Sequence, residues 1–190
     1  MAARRPNPVY YRGLIDDSLS VLINIFLIIP GLPLLVALAA FLPPGQLTTI
    51  LALTITGWAW TARVIRAQAL SLREKDFTVA ALVSGESSLR IMFIEILPNM
   101  ANIVAGALFN SITYGIAAQA GLEFLGLGDI SAVSWGTILY WAGNNSGLLT
   151  GAWWTFIPAG LCIALVAFAL AMLNYAMDEI TNPRLRTDKE

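Results

Sequence analysis

The chain has no histidine among its 190 residues. It therefore lacks the commonest metal ligand and the side chain most used for proton transfer near neutral pH. Its single cysteine, Cys162, can form neither an internal disulfide nor a thiolate metal cluster. Set in an apolar run, it reads as a small hydrophobe rather than a reactive thiol. Lysine occurs only as Lys75, after Glu74, and Lys189, after Asp188, so no Gly-Lys-Ser/Thr loop exists to cradle a nucleotide phosphate. The chain is not expected to hydrolyse ATP, and no cofactor or metal is implied. Charge is scarce too, at 12% of residues against roughly 25% in soluble domains.

What fills the sequence instead is apolar, with 57% hydrophobic residues and a mean hydropathy of +0.71. Too little charge remains to coat a water-facing surface, which points to an integral membrane protein. The net charge of −1, from 11 cations and 12 anions, leaves no surplus for binding nucleic acid.

Between Asp17 and Arg63 lie 45 residues without an ionisable group, interrupted by Pro43-Pro44-Gly45-Gln46. A hydrocarbon core of ~30 Å takes about 20 helical residues per crossing. The stretch predicts two crossings, at 18–42 and 47–63, joined by a tight hairpin. A third crossing, 99–120, fits between Glu95 and Glu123, and a fourth, 152–176, fits the end of the uncharged run before Asp178. The first half of that run is broken by Trp135-Gly136 and Asn144-Asn145-Ser146-Gly147, so it reads as an outer or partly re-entrant loop within 121–151. The expected fold is all-α: a polytopic transmembrane bundle over 18–178 with about four spans, a 1–17 N-terminal segment, a 64–98 inner loop and a 179–190 tail.

The distribution of cations tests this count. Four crossings place Arg4, Arg5 and Arg12, then Arg63, Arg66, Arg73, Lys75 and Arg90, then Arg184, Arg186 and Lys189 in one compartment, which accounts for all 11. The other side holds only Glu123 and Asp129. By the positive-inside rule both termini are cytoplasmic, and a fifth crossing through 131–150 would strand the tail cations outside. Tryptophans agree: Trp58 and Trp60 sit toward the inner end of the second span, while Trp135, Trp141, Trp153 and Trp154 cluster on the outer side. No signal peptide is evident, because residues 1–17 are polar and the first apolar segment lacks a small-residue cleavage site.

Apart from Arg63 at the very end of the second, the four spans hold no Asp, Glu, Lys, Arg or His. Ion-coupled carriers and proton pumps depend on such groups, so a self-sufficient pump is excluded. Asn24, Asn102, Asn110, Gln119 and Asn174 could line a path for an uncharged solute, or could hydrogen-bond between helices, their more ordinary use. Ala107, Ser111 and Gly115 form a small-xxx-small row suited to close helix packing. Pro30 and Pro33 predict a kink or break in the first span, which either offers free carbonyls to a solute or is absorbed by neighbouring helices.

The segment Arg63–Pro98 carries five of the cations yet reads as ordered structure. Ser71-Leu72-Arg73-Glu74 fits a capping box and predicts a helix after it. Phe77, Ala80, Ala81 and Ser84 then share a narrow face of mostly small side chains, and Gly85 supplies a left-handed terminus. A second short helix, about 88–96, is expected to stop before Pro98. A short helix with alanines on its face suits docking into a groove on a cytoplasmic partner.

Ala80-Ala81-x3-Gly85-x11-Leu97-Pro98 resembles the EAA loop of the membrane subunits of ATP-binding cassette importers, with Val79 where glutamate is usual and Glu95 where isoleucine is usual. Asp17 through Pro33, Ala62-Arg63-Val64-Ile65-Arg66-Ala67-Gln68, Leu72 to Phe77, Glu123-Phe124-Leu125-Gly126-Leu127-Gly128 with Ser134-Trp135-Gly136, and Asn182-Pro183-Arg184-Leu185-Arg186 are similar to the dipeptide, oligopeptide and nickel permease branch. Members of that branch usually have about six crossings, and the two that normally come first are not in this sequence.

The resemblance implies a partial type I importer transmembrane domain in a bacterial or archaeal plasma membrane. It would form half of a path with a second permease subunit, receive solute from an extracellular or periplasmic binding protein, and be driven by cytoplasmic ATPases. Ala80, Ala81, Gly85, Leu97, Pro98, Arg73 and Glu74 would serve the ATPase contact. Glu123, Gly126, Gly128 and Trp135 would face the binding protein, with Pro30, Pro33, Asn110 and Gln119 as candidates for the pathway. Peptide, nickel and oligosaccharide remain open as solutes. An intramembrane enzyme has nothing here to activate a nucleophile, whereas a structural scaffold would explain the spans while leaving the Ala-Ala-x3-Gly loop accidental.

Overall fold

A computed structural model describes residues 8–147 and 149–181. Arg4, Arg5, the side chain of Arg12, and the tail with Arg184, Arg186 and Lys189 lie outside the described residues. Every regular element among the described residues is helical. The order is α1 (Pro8–Ile28), α2 (Gly31–Phe41), α3 (Gln46–Arg73), α4 (Asp76–Val83), α5 (Ser88–Arg90), a π-helical segment (Ile91–Ile96), α6 (Leu97–Asn99), α7 (Ala101–Phe124), α8 (Trp135–Asn144), a short 3₁₀ turn (Trp153–Thr155) and α9 (Ile157–Thr181).

The first predicted span is broken at its prolines. α1 ends at Ile28, Pro30 takes the N-cap position of α2, and the two axes meet at 79°. Pro33 falls in the first turn of α2, where its missing N–H would have had no intrahelical partner anyway. One proline therefore makes the break and the other is absorbed. Pro43 and Pro44 end the hairpin's first arm, and Thr48 donates its hydroxyl to the Pro43 carbonyl at 2.7 Å to close the turn.

α1 starts at Pro8, inside the expected 1–17 N-terminal segment, and α3 departs from expectation by as much at its other end. α3 begins near the predicted residue but runs ten residues past Arg63, because nothing between Arg63 and Arg73 is a glycine or proline that would stop it. Its 28 residues span ~42 Å, more than a ~30 Å hydrocarbon core needs. Among the described residues, α7 and α9 are long and apolar enough to cross a membrane, with α1–α2 a third if the bent pair is one span. α3 is long enough but more polar. Its threonines are satisfied within the helix: Thr49, Thr54 and Thr56 donate to the carbonyls of Gly45, Ile50 and Ala52 at 3.2, 2.8 and 2.9 Å.

α7 is the central element, packed against α3, α8 and α9. Leu35, Ala39, Ala52 and Leu122 form one core cluster between α2, α3 and α7. Ile91, Ile96 and Met100 form a second at the other end of α7, covered by Ile65, Ala69 and Leu72 of α3, Ala81 of α4 and Val104 of α7. The Ala107–Ser111–Gly115 row is not where α7 packs most closely. Ser111 is exposed and a Cβ at Gly115 would meet nothing within 4 Å. The close approach is one residue earlier, at Gly106, where a Cβ would lie 2.9 Å from the Asn174 Oδ1 on α9.

Ala52 is fully buried at 0% exposure where α2, α3 and α7 meet. Ala52→Leu should overpack the cluster and destabilise the protein by about 1–3 kcal/mol. Ile50→Leu, on the exposed side of the same helix, should stay within about 0.5 kcal/mol of the parent. Thermal unfolding of both variants in detergent checks this, and equal midpoints would refute the packing.

Candidate functional site: an inner docking loop and an outer clasp

The inner loop folds back on the end of α3. Ser71 lies inside α3, so the expected Ser71–Glu74 capping box does not form, and the N-cap of α4 is Lys75 with no side-chain cap. Thr78 does the fastening instead. It is 4% exposed, and its hydroxyl donates to the Leu72 carbonyl at 2.8 Å. Nothing in the periodicity singled out Thr78, because a threonine one turn into a helix looks neutral in sequence.

α4 then divides into two faces. Thr78 and Ala81 point toward the inner cluster, whereas Val79, Leu82 and Val83 are 48%, 62% and 83% exposed and Ala80 is exposed beside them. The two alanines expected to act together therefore face different ways, Ala80 exposed and Ala81 toward the inner cluster. Gly85 ends α4 with φ +82°, its N–H bonding the Leu82 carbonyl while that of Glu86 bonds the Ala81 carbonyl. These paired bonds form a Schellman motif, which fixes the exit direction of the chain.

Ser87 caps the following turn by accepting from the Arg90 N–H at 3.3 Å, and Arg90 pairs with Glu86 at 2.7 Å. Helical structure does not stop before Pro98 as expected but continues to Asn99. The π-helical widening over Ile91–Ile96 shifts the backbone register just before the proline, with the Leu97 N–H reaching the Met92 carbonyl. Leu97 and Pro98 are exposed on this turn, as are Arg73 and Glu74 at the α3–α4 corner.

At the far end of α7, Glu123 is only 7% exposed. One of its oxygens accepts from Gln119 Nε2 at 3.0 Å and the other from the Ser134 hydroxyl. Two glycines make room for it. A Cβ at Gly128 would fall 2.7 Å from Glu123 Cγ, and one at Gly136 would fall 2.8 Å from the Ala120 Cα. Ser134 and Thr137 cap α8 reciprocally, each backbone N–H donating to the other's side-chain oxygen at 3.0 Å. The sequence Glu-Phe-Leu-Gly-Leu-Gly with Ser-Trp-Gly is thus a clasp that pins α8 to α7 around a buried carboxylate.

This placement changes the expected roles. Glu123 and Gly128 are buried, Gly126 (φ +77°) is half-covered by Tyr140, and only Trp135 of that set reaches the surface. Gln119 donates to Glu123, while Asn110 is exposed on α7. Thr137, at 2% exposure, was missed, although Ser134-x-x-Thr137 has the spacing of a capping box. Outside the clasp, Asp129 accepts from the Ser131 N–H and hydroxyl, which hold its carboxyl below the usual carboxylate range. An open cavity of about 530 Å³ lies beyond α8, lined by Ile130, Val133, Trp141, Asn145, Trp154 and Thr155 among others.

An uncharged helical bundle with a folded, cation-bearing loop at one end and a clasped short helix at the other defines the class as a multi-pass membrane subunit. Residues 1–187 match the family described as binding-protein-dependent transport system inner membrane component, and the chain belongs to it. That description assigns the family's members to an inner membrane, as components of a transport system. Over 181 residues it is 30% identical to the dipeptide transport system permease protein DppC of Bacillus subtilis, covering 93% of this chain and 55% of that one. It is 31% identical to the oligopeptide transport system permease protein OppC of the same organism, over 92% of this chain and 56% of that protein. The di/tripeptide transport system permease protein DppC of Pseudomonas aeruginosa is 33% identical, over 87% of this chain and 54% of its own length. The chain thus spans just over half the length of these relatives.

Glu123→Ala would remove the carboxylate that accepts from the half-buried Ser134 hydroxyl and Gln119 amide and would empty the space the glycines leave for it, which should destabilise the protein by about 1–3 kcal/mol. Gly136→Val should do at least as much, since its side chain would meet the backbone of α7. Protease cleavage within 129–150 of the detergent-purified protein checks this. Both variants should be cut faster than the parent, and equal rates would mean that the clasp does not hold α8.

Proposed function

We propose that this chain is the permease subunit of an ATP-binding cassette importer, forming half of a translocation path with a second permease subunit. Its cytoplasmic ATPases contact α4, and an extracellular or periplasmic binding protein delivers the solute to the α8 side. The observation that carries this is the division of α4. Small residues anchor it, while Val79, Leu82 and Val83, too apolar to be left in water without a partner, stand outward beside Arg73, Lys75 and Arg90. Ala80 joins that outward face, Ala81 and Gly85 set its position, and Leu97 and Pro98 border the cluster beneath it. Relatives named for dipeptide and oligopeptide transport favour a peptide as the solute.

The proposed topology has four crossings, α1–α2 as one broken span, then α3, α7 and α9, with both termini cytoplasmic. What supports it is the distance between the two functional ends. α4 packs near the start of α7 and α8 near its end, and the 24 residues between rise ~36 Å, more than the ~30 Å hydrocarbon core.

Two measurements test these readings. Val83→Glu, at an 83% exposed position, should leave membrane insertion intact and reduce co-purification of the cognate ATPase at least about tenfold, as expected for a charge set in an apolar contact. Undiminished ATPase recovery would remove α4 from the interface. In a Cys162→Ser background, a cysteine at Asn145 should react with an impermeant thiol reagent from outside the cell, and one at Ser87 should not. The reverse pattern would invert the topology.

A further inference from the structure

α1 packs chiefly on α3, and two specific contacts hold the antiparallel pair. Near the cytoplasmic end, Arg66 Nε and Nη2 donate to the two Asp16 carboxylate oxygens at 2.9 and 2.7 Å. Further along, the rings of Phe26 and Trp58 meet edge to face with centroids 5.2 Å apart. Arg66 lies on the part of α3 that runs past Arg63, and its neighbours Ile65, Ala69 and Leu72 cover the inner cluster to which Ala81 of α4 belongs. Thr78 ties the start of α4 to the Leu72 carbonyl of the same segment. One continuous set of contacts therefore runs from α4 through the end of α3 to α1, and α1 ends at the 79° bend before α2.

With side chains 35% and 47% exposed, the ion pair contributes little to stability. Its two-point geometry instead fixes orientation, since a planar guanidinium on a carboxylate resists both twist and slide. We propose that Asp16 and Arg66 are positioning residues, a strut that makes α1 move with α4 and the end of α3 when the ATPases close. The α1–α2 bend then absorbs the motion. This rests on the importer function proposed above. Packed elements move by discrete shifts rather than continuous deformation, so a rigid unit must end at a hinge, and Ile29–Pro30 is the break in this one.

The test uses the importer assembled with its cognate ATPases, carrying Cys162→Ser and pairs of spin labels on exposed positions. Distances are measured by pulsed electron paramagnetic resonance without nucleotide and after trapping with ATP and vanadate. The Leu19–Leu70 distance, from α1 to the end of α3, should hold to within ~2 Å, while Leu19–Ala40, across the bend, should shift by more than that. Asp16→Arg should broaden the Leu19–Leu70 distribution, and adding Arg66→Asp should narrow it again. A Leu19–Leu70 distance that changes on trapping in the parent, or one that Asp16→Arg leaves narrow, overturns the strut. If Asp16→Arg fails to insert, the parent distances alone decide. Failure of the parent chain to retain an ATPase overturns the importer function and the strut with it, whereas a retained ATPase with a shifting Leu19–Leu70 distance overturns the strut alone.

Discussion

The cost of placing a charge in hydrocarbon organises this protein. A carboxylate or cation at mid-bilayer is penalised by ~2.5–3.5 kcal/mol on the insertion scale, and the sequence between Asp17 and Arg63 and between Ile130 and Met177 contains none. Charges are therefore pushed toward the two ends of the bundle. Asp16 pairs with Arg66 at one end. At the other, Glu123 is accepted into the interior only because Gln119 and Ser134 donate to it and two glycines leave it space. A buried carboxylate without such donors would not be tolerated, so the glycines and hydroxyls around Glu123 follow from its presence.

That constraint is also why much of the architecture was legible in the sequence. Uncharged runs bounded by ionisable residues fall on α1–α2, α7 and α9, although α1 begins at Pro8 rather than at 18 and α9 lies five residues later than 152–176, and proline chemistry located the break at Pro30. What failed to show was local competition between helix continuation and capping. Ser71-Leu72-Arg73-Glu74 has the form of a helix start, yet α3 simply runs through Ser71, because continuing an established helix adds a bond per residue while starting one must first order a turn. Pro98 likewise has the form of a stop, but a π-helical segment absorbs it. Both cases turn on register, which composition does not encode.

The site was visible as motif and invisible as geometry. Glu123, Gly126, Gly128 and Trp135 share a short stretch, which suggested one exposed face; the fold buries two of them and half-covers a third. Ala80 and Ala81, adjacent in sequence, are ~100° apart around a helix, so one can anchor while the other is presented. In each motif a pattern that suggests a binding surface is in part the scaffold that holds the surface in place.

The scaffolding also explains why α4 is built from such small anchors. Thr78 and Ala81 bring the backbone of α4 close to the end of α3 and to the Ile91–Met100 cluster, and a close, short-side-chain contact leaves little play. The Schellman motif at Gly85 then fixes where the chain leaves. Longer side chains on the inner face would hold α4 through flexible rotamers, which yield before they transmit a displacement. Placing bulk outward, at Val79, Leu82 and Val83, and small residues inward gives a helix that exposes apolar area while staying closely joined to α3. Because α3 is one unbroken helix from Gln46 to Arg73, whatever displaces its C-terminal end also acts on its contact with α2 and α7 at Ala52. The additional turns past Arg63, which the sequence expectation did not include, are what carry both the α4 contact and the Asp16–Arg66 pair.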